Sequence, residues 1–303
     1  MKSAPRPGYG LFQLLVVIAL IALLIGMMLP AVFKVHLAAA RMQSSNNLKQ
    51  LGIAVHNYND AYTKLPAGVD EKQFSTLFHL LPFIEQDNLF KSADMTVDSD
   101  NKANAKVRST IVKTFLSPLD PLHETAPAGG TNYFAMAGSK MELKDNDGAF
   151  YRDSKNTIPA SFTDGTSNTI VFVELLRGDN GKKAESVQRQ HIRIKAADLA
   201  TLKEGAGVKD FANGKNIAAN RGAAWIDGRF LQATTNTTMR MLDKRPDVDC
   251  GGEGGLAGVR TVADGTNVAL GDGSVRFVSS HISLVTWKAA STTNGGEVLG
   301  ADW

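Results

Sequence analysis

The segment from Leu11 to Phe33 runs for 23 residues without a charge, and no other stretch limits the fold of this chain as tightly. At ~1.5 Å of rise per helical residue it spans roughly 35 Å, enough to cross a hydrocarbon core of about 30 Å. Lys2 and Arg6 stand directly before it, and the positive-inside bias holds such residues on the cytoplasmic side. A secretory signal has a shorter apolar region, about 7–15 residues, followed by a small-residue cleavage site. Ala38-Ala39-Ala40 supplies such a site. A cleaved signal and an uncleaved anchor therefore both stay open.

Beyond the apolar run the helical pattern continues. Gly26 and Pro30 are expected to loosen or kink it, because proline lacks a donor and crowds the preceding turn. After Lys34 the residues Leu48, Leu51, Val55, Tyr58 and Tyr62 recur at intervals of three and four, an apolar stripe on one helical face. Leu65-Pro66-Ala67-Gly68 stops it. The expectation is one long bent helix from Tyr9 to Tyr62, half in lipid and half packed on a head.

The junction Pro7-Gly8-Tyr9-Gly10-Leu11-Phe12-Gln13-Leu14-Leu15-Val16-Val17-Ile18-Ala19 resembles the type IV prepilin signature. The resemblance implies cleavage by a membrane prepilin peptidase after Gly8, leaving Tyr9 as the mature N-terminus. In that family the fifth mature residue is normally Glu, whose carboxylate meets the amine of a neighbouring subunit. Here it is Gln13. An amide enters lipid at lower cost than a carboxylate, and it can accept a hydrogen bond from an ammonium only without charge assistance.

Four further blocks carry a second resemblance. They are Ser45-Asn46-Asn47-Leu48-Lys49-Gln50-Leu51-Gly52-Ile53-Ala54-Val55-His56-Asn57-Tyr58, Leu80-Leu81-Pro82-Phe83-Ile84-Glu85-Gln86, Thr163-Asp164-Gly165-Thr166-Ser167-Asn168-Thr169 and Asn267-Val268-Ala269-Leu270-Gly271-Asp272-Gly273-Ser274-Val275-Arg276-Phe277. In order and spacing they resemble a planctomycete-type pilin-like family known as domain of unknown function 1559. The resemblance makes Asp164, Gly165, Asn168, Asp272 and Gly273 the motif turns of the head. Where the family commonly has two cysteines this chain has Ser44 and Ser117, and where it has a histidine in the C-terminal motif this chain has Val262. Any redox or metal role of those positions is not carried over.

The rest of the chain reads as one α+β head. With 43% hydrophobic and 21% charged residues it has material for a core. The single cysteine, Cys250, excludes an intrachain disulfide, and its glycine-rich surroundings leave a free or intermolecular thiol and an inert buried one both open. Phe74 to Phe90 is expected to be helical with a break near Pro82, and Ile111 to Leu116 to form a strand. Strand-like runs then alternate with Asp-Gly pairs at Asp147, Asp164, Asp227, Asp264 and Asp272. The last is expected to be a type I′ hairpin turn, with Leu284 to Ser291 as a short terminal helix.

Between about Lys182 and Arg221 nine basic residues (Lys182, Lys183, Arg189, Arg193, Lys195, Lys203, Lys209, Lys215, Arg221) face four acids (Glu185, Asp198, Glu204, Asp210). The excess suits an anionic polysaccharide, nucleic acid or lipid surface. Phe211 is the one Phe, Tyr or Trp in this stretch, which argues against a run of stacked bases and for a solvated insertion. Candidate chemistry is sparse. Asp145-Asn146-Asp147-Gly148 fails the EF-hand ligand requirement, with Leu143 at the first position and Ser154 in place of a bidentate Glu at the twelfth. The six histidines have no zinc spacing, and no G-x-S-x-G elbow occurs. Gly252-Glu253-Gly254 reads as a turn, not a dinucleotide loop.

The sequence thus leads to an α+β fold of type IV pilin or pseudopilin kind, a long transmembrane helix packed on a mostly antiparallel sheet. The segments are a leader over 1–8, the membrane half of the helix over 9–33, its soluble half over 34–64 and a head over 65–303. The expected role is a structural pilin-like subunit, single-pass in the bacterial inner membrane with its head outside and able to enter a surface filament. Its expected partners are the lipid bilayer, a prepilin peptidase and other pilin-like subunits, with no nucleic acid, cofactor, metal or catalytic residue. The alternatives are a monomeric membrane-tethered binding or adhesion module, and a secreted enzyme released after Ala40.

Overall fold

The computed structural model describes residues 10–122, 129–179, 186–203, 205–261 and 264–303. Gly8, Tyr9, Lys182, Lys183, Glu185, Glu204 and Val262 lie outside the described residues. The chain divides into two compact units, Met1–Met42 and Gln43–Trp303.

Helix α1, Leu11–Tyr62, runs through Gly26 and Pro30 without interruption. In the first unit Leu11–Met28 has a mean hydropathy of 2.8 and none of it is buried. It is the one helix among the described residues long and apolar enough to cross a membrane. The start of α1 is tied by the Gly10 carbonyl, which accepts from Gln13 N at 2.9 Å, while Gln13 Oε1 accepts from Gly10 N at 3.1 Å. That is the reciprocal half of a capping box, in which a third-position Gln satisfies the N–H of the cap residue.

The second unit begins inside α1. Leu48, Leu51, Ala54 and Val55 are fully buried, while Tyr58 is half-buried and Tyr62 exposed. The expected stripe therefore ends a turn early, where Tyr58 and Tyr62 stack on each other and on Phe83 instead of entering the core. Three short helices follow, α2 (Thr76–His79), α3 (Asp87–Lys91) and α4 (Ala105–Arg108), with a 3-10 turn at Leu81–Ile84 that holds Pro82 in its first turn. The expected strand over Ile111–Leu116 is absent. A 3-10 turn at Lys113–Phe115 instead lets Val112 and Phe115, three positions apart, both reach the core.

Among the described residues nine strands form two mixed sheets. They are β1 (Tyr133–Met136), β2 (Ile170–Glu174), β3 (His191–Ile194), β4 (Ile217–Ala218), β5 (Thr234–Thr235), β6 (Asp247–Cys250), β7 (Gly255–Leu256), β8 (Gly265–Leu270) and β9 (Val275–Ser279). The five-stranded sheet has the order β5-β1-β2-β8-β9 and the four-stranded sheet β4-β3-β6-β7. Pairing is antiparallel except β1 with β5 and β3 with β6. Helices α5 (Val208–Ala212) and α6 (Leu284–Ala289) complete the head.

The five-stranded sheet lies between two apolar cores. One holds Leu48, Leu51 and Val55 of α1 with Tyr133, Phe172 and Ala269, and the other holds Phe134, Val173, Val268 and Leu270 with Trp287 of α6. A bulge between Ile170 and Phe172 breaks the alternation of β2, so Val171 and Phe172 turn to the same core. Phe277, on the edge strand β9, is 54% exposed.

That hairpin is not closed by a type I′ turn. Gly273 N donates to Leu270 O, Leu270 N donates to Ser274 O, and only Gly273 has positive φ (76°). This is a three-residue loop with glycine in the left-handed bulge position. The other four Asp-Gly pairs join no consecutive strands in a hairpin.

Candidate functional site

The family-type motifs meet at a buried polar frame behind α1. Tyr133 on β1 donates from its hydroxyl to Ser44 Oγ (3.2 Å) and accepts from Asn47 Nδ2 (3.3 Å), which also donates to Leu116 O (3.0 Å). Glu174 at the end of β2 accepts from Asn267 Nδ2 on β8 (2.9 Å) and from the Ser117 hydroxyl. Asn132 is fully buried: its Oδ1 accepts from Ser117 N, and its Nδ2 donates to Asp120 Oδ2 and Leu175 O. Burial and the charge of Glu174 push the Tyr133 hydroxyl well above its ordinary range, so it stays protonated as a donor. Ser44 and Ser117, the positions taken by cysteine in the resembling family, thus both stand in this frame, linked by hydrogen bonds through Asn267 and Glu174.

The motif turns are brought together as well. Asp272 N donates to Thr166 O (3.0 Å) and Gly271 N to Thr169 O (2.9 Å). Asp164 accepts from the N–H groups of Gly295 (2.7 Å) and Gly296 (2.8 Å), while Asn168 Nδ2 closes the turn on Asp164 O (3.0 Å). Gly165 has φ of +98° and meets the Asn168 amide. Gly273 packs backbone to backbone on α1, where a Cβ on Gly52 would stand 3.1 Å from its Cα, and its carbonyl accepts from Lys49 Nζ at 2.6 Å. These residues act as fasteners between the hairpin, α1 and the C-terminal segment. Gln13 belongs to the first unit, on the first turn of α1.

The insertion is not simply solvated. Arg221 is fully buried and donates to Asp247 Oδ2 at 2.6 Å, while Arg260 holds the other oxygen of the same carboxylate. Burial lowers Arg221 to about 10, with Asp247 working against that shift. Arg189 pairs with Asp120 (2.8 Å) and Arg193 with Asp249 (3.0 Å). Although burial opposes ionisation of Asp120, the N–H groups of Arg177 and Leu122 and the Arg189 charge hold it below its ordinary value. By contrast Lys195, Lys203, Lys209 and Lys215 are exposed. The arginines of the insertion are structural and the described lysines face water, as the planar fork and the hydrated ammonium respectively favour.

His191 on β3 is buried, and neither ring nitrogen has a partner among the described residues. Burial, then the guanidiniums of Arg221 and Arg193, hold it well below its ordinary value and therefore neutral. Cys250 is a buried residue of β6 and no loop thiol; burial pushes it up to about 12, so it carries no thiolate near neutrality. In the acidic loop, Asp147 accepts from Ser139 N and Oγ, and Asn146 bonds Lys140 and Glu142. Among the described residues no three His, Cys, Asp or Glu side chains gather where a metal could sit. Gly252 and Gly254 lie in the turn between β6 and β7.

Beside the charged face of the four-stranded sheet opens a cleft of about 510 Å³. Three arginines line it, Arg108 from the end of α4, Arg193 from β3 and Arg229 from the loop before β5. Asp227 takes Arg229 in a fork at 2.6 and 3.0 Å, and Asp100 adds a contact at 2.9 Å. The amides of Asn220 and Gln232 complete the polar lining. Neither Arg108 nor Arg229 stands out in the sequence. The cleft is assembled from segments near 100, 193, 220–232 and 251, and no local pattern links them.

A charge-free rod followed by a two-sheet α+β head defines a class compatible with a membrane-anchored surface protein. The family model described as a protein of unknown function (DUF1559), SBP_bac_10, matches residues 37–284. The chain belongs to this family. The matched span contains all four head motifs and starts beyond the apolar run. No curated protein and no solved structure matches the chain.

Proposed function

We propose that the chain is a pilin-like or pseudopilin-like structural subunit, cut after Gly8 by a prepilin peptidase and held in the bacterial inner membrane by the rod that follows. The head faces away from the cytoplasm, and the chain acts as a peptidase substrate, not as an enzyme. One observation carries this reading. Helix α1 is a single element whose charge-free residues Leu11–Met28 are exposed and whose residues Leu48, Leu51, Ala54 and Val55 belong to the core of the head. Burying that rod in lipid or against other rods removes a large apolar surface from water. Gln13 fits the same role without a charge, since its amide closes the first turn of the helix that enters the bilayer.

The test is mass spectrometry of the native N-terminus. Tyr9 as first residue, methylated or not, is the expected result; an intact Met1 or a start at Arg41 contradicts it. The cleft favours a second reading, a monomeric membrane-tethered binding module. Restoring Glu at position 13 distinguishes the two: a gain in assembly supports the subunit, and no change supports the module.

A further inference from the structure

We propose that the cleft beside the four-stranded sheet binds an acidic sugar, a uronic-acid unit whose carboxylate is taken by Arg108. This holds for an assembled subunit and for a lone anchored head alike. The charge balance of the lining selects the ligand. Arg229 is occupied by Asp227 and Asp100, and Arg193 by Asp249. Arg108 is different: its one bond runs from Nη1 to the Asp100 carbonyl at 2.7 Å, and no carboxylate pairs with it among the described residues. One guanidinium fork is therefore open to a single carboxylate, the partner its planar donors fit best. Phosphate concentrates its charge on a single group that meets Asp100 and Asp227 in the same cleft and is disfavoured by them, whereas a uronic-acid unit brings one carboxylate and leaves any second one on the neighbouring ring.

The remaining groups suit hydroxyls. Gln232 donates from Nε2 to Asn220 O at 3.1 Å and leaves Oε1 without a partner among the described residues. Asn220 accepts from Arg193 at 3.3 Å and leaves Nδ2 free in the same sense. The Asp100 carboxylate, 46% exposed, is a further acceptor. Acceptors and donors set around one cation match a ring bearing several hydroxyls and one acid. The volume of about 510 Å³ falls within the roughly 300–1,000 Å³ of small-ligand sites. Phe230 is buried and presents no open stacking face, so the recognition is polar.

The experiment is calorimetric titration of the full chain in detergent with digalacturonate, alongside its methyl ester and a neutral galactose disaccharide. Digalacturonate is expected to bind, with both uncharged probes weaker by about tenfold or more. Arg108→Ala is expected to weaken the acid probe by about tenfold or more at an unchanged melting temperature, with partial recovery in Arg108→Lys. Should Arg108→Ala lower the melting temperature, Asn220→Ala provides the second reading and is expected to weaken binding as well. No heat with digalacturonate at about 10 mM, equal binding of the ester, binding indifferent to both variants, or full competition by an equal concentration of inorganic phosphate overturns the assignment.

Discussion

The five-stranded sheet carries apolar side chains on both faces, those of α1 on one side and Trp287 of α6 on the other. The four-stranded sheet is divided. Ile192, Val248, Cys250 and Leu256 form its apolar face, while the alternate positions His191, Arg193, Asp247 and Asp249 form an ionic one. In register the neutral His191 stands opposite Asp247 and Arg193 opposite Asp249, so the polar side chains lie in a row along parallel strands. The first sheet is a scaffold held by packing and by the motif turns. The second exchanges half its apolar surface for ion pairs and borders the open cleft. In this head a close-packed frame and a polar, ligand-facing layer are built by different parts of the chain.

The largest expected effect tests the ionic face. Asp247→Ala leaves Arg221 and Arg260 buried without their carboxylate and should cost about 3–5 kcal/mol in urea unfolding. A cost below about 1 kcal/mol would mean water reaches these arginines and the contrast between the sheets is false. For the apolar sheet the matching probe is Leu51→Ala on the buried face of α1, with an expected loss of about 3 kcal/mol from lost burial and the cavity left behind. Next comes the fastener at Gly273. Its φ of 76° makes Gly273→Ala strained, by about 1–2 kcal/mol, although a Cβ there would meet His56 only at ordinary contact distance; equal melting curves would show that the hairpin does not depend on this turn.

The smallest effect is a pH dependence confined to the four-stranded sheet. His191 has an ordinary value of 6.5 and is held well below it in the folded head. The unfolded chain takes up a proton below about pH 6.5 that the folded chain refuses, so stability is full above that pH and falls as pH drops. The loss between about pH 7.5 and 5.5 is about 1 kcal/mol, and His191→Leu should remove it. Asp120, held below its ordinary 3.8, acts in a lower window and leaves this one clear. Thermal melts of both proteins at the two pH values decide the point: parallel losses would show that the sensitivity lies elsewhere.

Local, periodic features were legible in the sequence. The charge-free run, the Leu48–Leu51–Val55 stripe, the break at Pro82 and the α6 segment all depend on neighbours within a few positions. The division into two sheets was not, because β3 pairs in parallel with β6 at residues 56 positions apart, from His191 to Asp247. Ile111–Leu116 has strand composition, yet its place under Asn132 and Trp225 selects a 3-10 turn. Counting charges in the insertion could not separate Arg221, sealed against Asp247, from the exposed Lys215. The motif glycines and aspartates were found, but as turns alone; their role as fasteners depends on Gly52, Lys49 and Gly295, which approach only in the folded head.

Membrane partition of the native chain tests the central claim most directly, that the rod over Leu11–Met28 is a lasting anchor for the head. Membranes are washed at alkaline pH, and the head is then followed by an antibody to its C-terminal hairpin. The account predicts that the head stays with the lipid and is freed only by detergent. Recovery of a soluble head that has lost the rod would contradict it.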